Sequence, residues 1–240
     1  MFNPHPVIQQ VPLGEGKFCL VVDNFFSDPQ QMVQMAVTRR EAFAAAPVNC
    51  YPGIEQGMNA DFDHQLHEHF SAHLLRAFEG SELLGMATRM SLVTLKPEQL
   101  MPQQRICHRD ARECPPGQGA VASVMYLFED ARMGGTSFYR ARRHPDEIDF
   151  LLYQARLMDN VAFNQVIGAE PCFFNGDERY FEKVCTVPAA WNRAIFYDAT
   201  YFHSGQIDAP ELLSADPQQG RLTINAFMRY RRQPAAATIR

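Results

Sequence analysis

Apolar positions along this chain change their period near residue 90. Ahead of that point the spacing is partly helical. Phe18-Cys19-Leu20-Val21-Val22-Asp23 is a short apolar run and predicts a buried strand. Ser27 or Asp28 can then cap a helix with Pro29 at its first position, running through Met32, Met35 and Ala36. A second helix is predicted over roughly 61–78, where Phe62, Leu66, Phe70, Leu74 and Phe78 repeat every four positions. From Met90 onward the apolar runs shorten to strand length. Leu92–Leu95 is ended by Lys96-Pro97, and Ala122–Phe128 follows the turn cluster Pro115–Gly119. Gly134-Gly135 turns into Thr136–Tyr139, and strands resume at 184–187, 193–197 and 221–230. Residues 146–168 interrupt them with helical composition. Many short strands between Gly/Pro turns predict a sandwich or roll. The expected architecture is mainly β with flanking helices. N-terminal helices (1–89) pack outside a β-roll (90–232) that carries one helical insertion at about 140–185, all in a single domain.

Composition narrows the function classes. The 240 residues are 46% apolar and 20% charged, enough for one sizeable core. A net charge of −5 supplies no positive field to hold phosphates, so nucleic acid is not an expected partner. Six cysteines form no C-x-x-C, and a disulfide framework is not expected at this length. The N-terminus lacks the basic and apolar blocks of a signal peptide, and no apolar run reaches membrane-spanning length. The expectation is a soluble cytoplasmic protein with reduced thiols. Nothing in the sequence sets the oligomeric state.

Candidate chemistry lies in two segments 95 positions apart (203 minus 108), His108-Arg109-Asp110 and Tyr201-Phe202-His203-Ser204. On a strand, i and i+2 face the same side. Two imidazoles and one carboxylate can thus meet one ion, the facial triad of non-heme Fe(II) oxygenases. Taken singly, each piece has a plainer reading. His108 and Asp110 can hydrogen-bond to one another or sit exposed, and His203 can be a core histidine with one partner. Arg221 lies 18 positions after His203 and opens a strand in which Arg221, Thr223 and Asn225 share one face. An inward guanidinium must meet a partner. A bound carboxylate held by a bidentate fork fits, with Thr223 adding a hydroxyl. A structural ion pair fits as well.

The order His-x-Asp, apolar strand, Gly-Gly turn, apolar strand, His, Arg resembles the prolyl 4-hydroxylase-like branch of the 2-oxoglutarate/Fe(II) dioxygenases, mainly over residues 90–232. Val121–Phe128 with Gly134-Gly135-Thr136-Ser137-Phe138 is similar to that family's Tyr-Leu-Asn and Gly-Gly-x-Thr-x-Phe strands, and Val21–Ser27 to its opening strand and helix start. More narrowly, Ala189, Trp191-Asn192-Arg193, Tyr201–Ser204 and Cys50–Gly53 resemble an uncharacterised bacterial family of similar length. The resemblance implies a double-stranded β-helix, a cupin-like jelly roll. It implies His108, Asp110 and His203 as Fe(II) ligands and Arg221 as the grip on the far carboxylate of 2-oxoglutarate, the cosubstrate. Tyr126 becomes a candidate cosubstrate contact. The chain departs from the family at Ile106, where many relatives have Tyr, at Phe128, where they have Asn, and in a shorter Gly-Gly turn. Retention of Asp110 points to hydroxylation rather than halogenation.

Two further polar groups stand out in the sequence. His64, His67, His69 and His73 read as a solvated polar face opposite Phe62, Leu66, Phe70 and Leu74, since Phe70 stands where a zinc-protease helix needs Glu. Arg140, Arg142, Arg143 and His144 read as a solvated loop, with an anion-receiving role at the roll's mouth as the alternative. The rival to a dioxygenase acting on a small molecule or peptide is a non-catalytic cupin-like ligand- or metal-binding roll.

Overall fold

A computed structural model describes residues 1–45 and 51–234. It opens with a hairpin, β1 (Val7–Gly14) and β2 (Lys17–Asp23). Helix α1 (Pro29–Thr38) follows, with Asp28 as the cap, its carboxylate accepting from the Gln31 amide at 3.1 Å. Pro29 loses nothing there, because the first helical amide has no partner anyway. Met32, Val33 and Ala36 form the buried stripe.

Two short strands, β3 (Ala44–Ala45) and β4 (Gly53–Gly57), precede α2 (Ala60–His73). Asn59 caps α2 through the Phe62 amide. The helix predicted to run to residue 78 is shorter, and Leu75–Phe78 tighten into a 3-10 turn that ends on Glu79 in the left-handed region. The four-residue apolar repeat continues through this turn, which is why it read as one helix. β5 (Gly80–Val93) then begins ten residues before the predicted change of period.

The remaining strands are β6 (Gln118–Tyr126), β7 (Thr136–Ala141), β8 (Phe181–Val187), β9 (Ala194–Asp198), β10 (Phe202–Gly205) and β11 (Leu222–Arg232). Two antiparallel sheets result, in the orders β1-β2-β9-β6-β11-β5-β4-β3 and β10-β7-β8. A bridge between His108 and His203 adds a further rung beside β10. From β5 onward, with the His108 rung counted, the chain passes back and forth between the two sheets except at β7 and β8, which are neighbours in the smaller one, and this is the winding of a double-stranded β-helix. The insertion consists of two helices, α3 (Pro145–Leu157) and α4 (Asn160–Ile167), between β7 and β8. Asp159 breaks them by capping the second.

Alternation along the strands divides the molecule. Leu222, Ile224, Ala226 and Met228 of β11 face outward onto α1 and α2, with Phe196 of β9 and Val121 and Met125 of β6. Burying each large side chain in this core contributes about 1.5–3 kcal/mol. The opposite faces line the roll, where Tyr126, Phe138, Ile195, Tyr197 and Tyr201 form a second cluster. Among the described residues, no helix is long and apolar enough to cross a membrane.

The histidine-rich helix departs from expectation. His69 is only 8% exposed, with its ring against Phe2 and Phe25 at centroid distances of 5.1 and 5.3 Å. It lies three residues after Leu66 and seven after Phe62, so it shares their face and not the polar one. Burial, reinforced by nearby His73, pushes its pKa down to about 4. The folded protein therefore holds a neutral imidazole where the unfolded chain, at about 6.5, takes a proton. Stability from this site is complete above the unfolded value and is lost as pH falls from about 6.5 towards 4. His69→Phe keeps the aromatic contacts and removes the proton site. Melting temperatures measured between pH 7.5 and pH 5 should fall more steeply for wild type than for this variant, and parallel slopes would show that His69 takes up its proton without cost.

Candidate metal centre

The bridge that joins His108 to His203 is reciprocal. The His108 amide donates to the His203 carbonyl at 3.0 Å, and the His203 amide to the His108 carbonyl at 2.9 Å. Side chains of directly paired residues share a face, so the two imidazoles lie together with centroids 4.5 Å apart. Asp110 completes the group. Its Oδ2 is 3.2 Å from His203 Nε2, its Oδ1 is 3.6 Å from His108 Nε2, and one ligand atom from each residue lies within 4.8 Å of the others. The expected i, i+2 strand is only partly realised. His108 pairs as a single rung, and Asp110 sits in a bend after it, turning its carboxylate inward to 15% exposure. His203 is buried, whereas the His108 side chain is 55% exposed.

Ligand atoms at about 2.0–2.2 Å from one ion, in adjacent positions, lie about 3 Å apart. The two observed separations match that spacing. His203 is also set in the right tautomer, since its Nδ1 lies 3.0 Å from the Tyr201 carbonyl. A proton held there makes Nε2 the nitrogen that faces Asp110, where it donates to the carboxylate and, once deprotonated, can bind a metal. Burial alone would raise the pKa of Asp110. The charge of His203 and hydrogen bonds from both imidazoles outweigh it and hold the carboxyl well below its usual range. Burial opposes protonation of His203, and the Asp110 charge reverses that and raises its pKa. The ring of Tyr197 packs edge-on against His203 at 4.7 Å.

Arg221 immediately precedes β11 and is buried. Its Nε donates to the carbonyls of Met133 at 3.0 Å and Gly134 at 3.4 Å, and its Nη2 to that of Gly135 at 3.0 Å. The guanidinium stands over the rings of Phe128 and Tyr126 at 5.5 and 5.9 Å. No ion pair among the described residues involves Arg221. The structural salt bridge that was the alternative reading is therefore not present there. The Gly-Gly turn is required by this cradle. Gly134 has φ +79°, and a Cβ on it would fall 1.4 Å from the Gln206 carbonyl oxygen.

Thr223 is buried on the inward face, its hydroxyl 3.5 Å from the Ser91 carbonyl. The Tyr126 hydroxyl is shared with Thr136 at 2.8 Å, and burial pushes its pKa up to about 12. Several polar residues escaped sequence reasoning. Glu55 accepts from Arg89 at 3.2 Å and from Ser91 at 2.9 Å, and Asn225 donates to Ser91 at 2.9 Å. Tyr51, close to Thr223 and Ser91, is raised to about 12, mainly by burial. Its neighbour Cys50 lies outside the described residues. A cleft of about 440 Å³ opens beside Asp110, with Ala87, Ala111, Ala199, Phe227 and Arg229 in its walls.

The other polar runs stand apart. Arg140 pairs with Glu182 at 2.8 Å, and Arg142 and Arg143 donate to the carbonyls of Glu178 and Arg179. The ligand group at His108, Asp110 and His203 is the only one of its kind among the described residues, so the histidines of α2 form none.

A family model described as a family of unknown function (DUF6445) matches residues 4–228. The chain belongs to this family. No curated protein matches it. Solved structures do resemble it. The non-heme alpha ketoglutarate dependent carbocyclase SnoK from nogalamycin biosynthesis is 12% identical, with 89% of this chain and 82% of that one covered and a TM-score of 0.51. The epimerase SnoN from the same biosynthesis is 14% identical over 91% and 82%, with a TM-score of 0.49. A Pseudomonas putida prolyl-4-hydroxylase is 14% identical over 90% and 93%, with a TM-score of 0.42. At such identity the likeness to SnoK shows the fold alone, a double-stranded β-helix.

The metal group is fastened from outside. Arg109, between two candidate ligands, turns away from them and lies over the ring of Phe202, next to the third, at 4.6 Å. It donates to Asp149 of α3 at 3.2 Å, and Arg112 donates to the other oxygen of that carboxylate at 2.5 Å. Arg105 is buried, and its Nη1 and Nη2 donate to Asn160, Asn164 and the Ala169 carbonyl. The insertion thus grips both flanks of the ligand-bearing loop. Outer partners that orient ligands affect metal affinity by about 10–100-fold. Asp149→Asn should weaken Mn(II) binding by roughly tenfold in a competition titration while the melting temperature moves little, and Asp149→Glu should restore it. Unchanged affinity in Asp149→Asn would reduce these contacts to surface pairs.

Proposed function

We propose that this protein is a mononuclear Fe(II)- and 2-oxoglutarate-dependent dioxygenase of the hydroxylase type, acting on a small molecule or a peptide. The observation that carries this reading is the convergence of His108, Asp110 and His203 within 4.8 Å in a roll of this winding. His108 and His203 would hold the ion through Nε2, and Asp110 would hold it through a carboxylate oxygen. Iron held by these three residues would, with 2-oxoglutarate, supply O2 activation coupled to oxidative decarboxylation.

The protein's part is geometric and electrostatic. The Tyr201 carbonyl keeps the Nδ1 proton of His203 in place, and the Tyr197 ring excludes water from one side of the centre. Arg221 brings a buried positive charge without a protein carboxylate. Of its five N–H groups, the Nε proton and one on Nη2 serve the Gly-Gly turn, so three (five minus two) remain for the far carboxylate of the cosubstrate. Thr223 lies one alternation along the same face and adds a hydroxyl. Tyr126 forms the floor under the guanidinium. Substrate would enter the cleft beside Asp110 and present a C–H over the open face.

Anaerobic addition of Fe(II) and 2-oxoglutarate should produce the visible charge-transfer band of a chelated 2-oxo acid. His203→Ala should abolish the band, and Asp110→Ala should abolish or weaken it. Arg221→Met should leave metal affinity nearly intact and raise the half-saturating 2-oxoglutarate concentration by roughly 30-fold to several thousand-fold, the equivalent of about 2–5 kcal/mol for a buried charged partner. Wild-type protein that binds no divalent metal, or an Arg221→Met variant with wild-type cosubstrate dependence, would refute the corresponding half of the proposal.

A further inference from the structure

We propose that the outer face of the helical insertion is a self-association surface, on which a second copy of this chain docks with its α3 antiparallel to the first. The inference is independent of the catalytic reading. Phe150, Tyr153 and Leu157 of α3 and Val161 of α4 are 61, 58, 66 and 74% exposed. Spacings of three and four residues put Phe150, Tyr153 and Leu157 in one stripe on α3, and Val161 stands exposed just past the break, in the first turn of α4. They are four of the seven large apolar residues exposed among the described ones, so apolar exposure is concentrated here and not scattered. Single exposed apolar residues need no explanation, but contiguous ones mark contact surfaces.

The stripe is preformed. Ile148, Leu151, Ala155 and Phe163 bury the inner faces of both helices. Asp149 and Arg105 tie the same helices to the ligand-bearing loop. Little ordering entropy is left to lose on docking.

Charge selects the occupant. Asp146 and Glu147 stand exposed in the first turn of α3, and Arg156 stands exposed in its last. Two antiparallel copies place Asp146, which shares the stripe's face, towards the Arg156 of the other and oppose the helix dipoles favourably. A two-fold axis near Tyr153 makes every contact occur twice, as an isologous interface requires. Four such side chains offer on the order of 400 Å² of apolar surface per copy. A standard interface buries about 800 Å² per partner, so the stripe forms the dry centre and the charged ends form the rim. Association at micromolar concentration is expected.

Sedimentation velocity on the full chain, from low to high micromolar concentration and without added metal, tests this. Wild type should shift from 27.3 kDa to twice that mass. Phe150→Glu with Leu157→Glu should remain monomeric, with an unchanged circular-dichroism melt to show that the fold persists. Reversal of exposed charge is milder to the fold. Asp146→Lys should weaken the dimer several-fold, and adding Arg156→Glu should restore it. Tyr153→Cys in a Cys172→Ser background should oxidise to a covalent dimer. A wild type that stays monomeric at all concentrations overturns the proposal and leaves the stripe to a different protein. A dimer that survives the double Glu variant places the interface elsewhere. A dimer broken by that variant but indifferent to the charge swap overturns the antiparallel arrangement.

Discussion

Two hydrogen bonds between the backbones of His108 and His203 organise the rest of the centre. Closing a loop of this length costs entropy, but the cost grows only logarithmically with length. The flanking strands repay it, because β10 is already registered on β7 through Phe202↔Tyr139 and His203↔Phe138. Once the rung forms, alternation places both imidazoles on the inward side and Arg109 and Phe202 on the outward side. The ligand pair and the cation–ring contact that fastens it are consequences of a single register. A slip by one residue would exchange the two faces. Imidazoles would then point at α3, and Arg109 would point into the roll.

The charges inside the roll are arranged so that each has a reason to stay. A carboxylate turned inward is costly unless paired, and Asp110 has an imidazole on each oxygen. Glu55 has Arg89 and Ser91. Arg221 differs from both, since its partners are three carbonyls and two aromatic faces, which leave its positive charge formally uncompensated. Neutral partners stabilise a guanidinium less than a carboxylate would.

Much of this was legible from residues alone, and the remainder has physical causes. The inward face of β11 followed from alternation, because polar and apolar residues take turns from Arg221 to Ala226 and one set must meet the helices. The His-x-Asp pair and distant His were legible as residue types. Their convergence was not, since it depends on a rung that hydropathy cannot register. β1 was missed because its residues are mostly exposed on a sheet edge, so it carries no burial signal. β5 was entered late because Gly80 to Arg89 mixes Gly, Glu and Thr among its apolar positions. The Glu55–Ser91–Asn225 chain was missed because polar residues facing a functional cavity look like those facing solvent. His69 was misplaced because a residue's chemistry was weighed ahead of its angular position on the helix.

The division of labour between the two faces of the large sheet explains how the interior can be so polar. Stability resides outside, where Phe25, Phe62, Phe70 and Phe196 pack between the sheet and the N-terminal helices. The part of the inner face along β5 and β11 is thereby released from packing duty, while Tyr126, Phe138, Ile195 and Tyr197 pack the rest. The released part can carry Ser91, Thr223 and Asn225 and border an open cleft without unfolding the roll. The smaller sheet has no N-terminal helix behind it, and its outer face would be left bare. The insertion fills that role, since Tyr139 and Phe181 of the sheet pack on Ile148, Leu151 and Phe163. A helical pair inserted between β7 and β8 is thus the small sheet's own core. Because that sheet carries His203, the packing of the insertion and the geometry of the candidate metal centre are mechanically one structure.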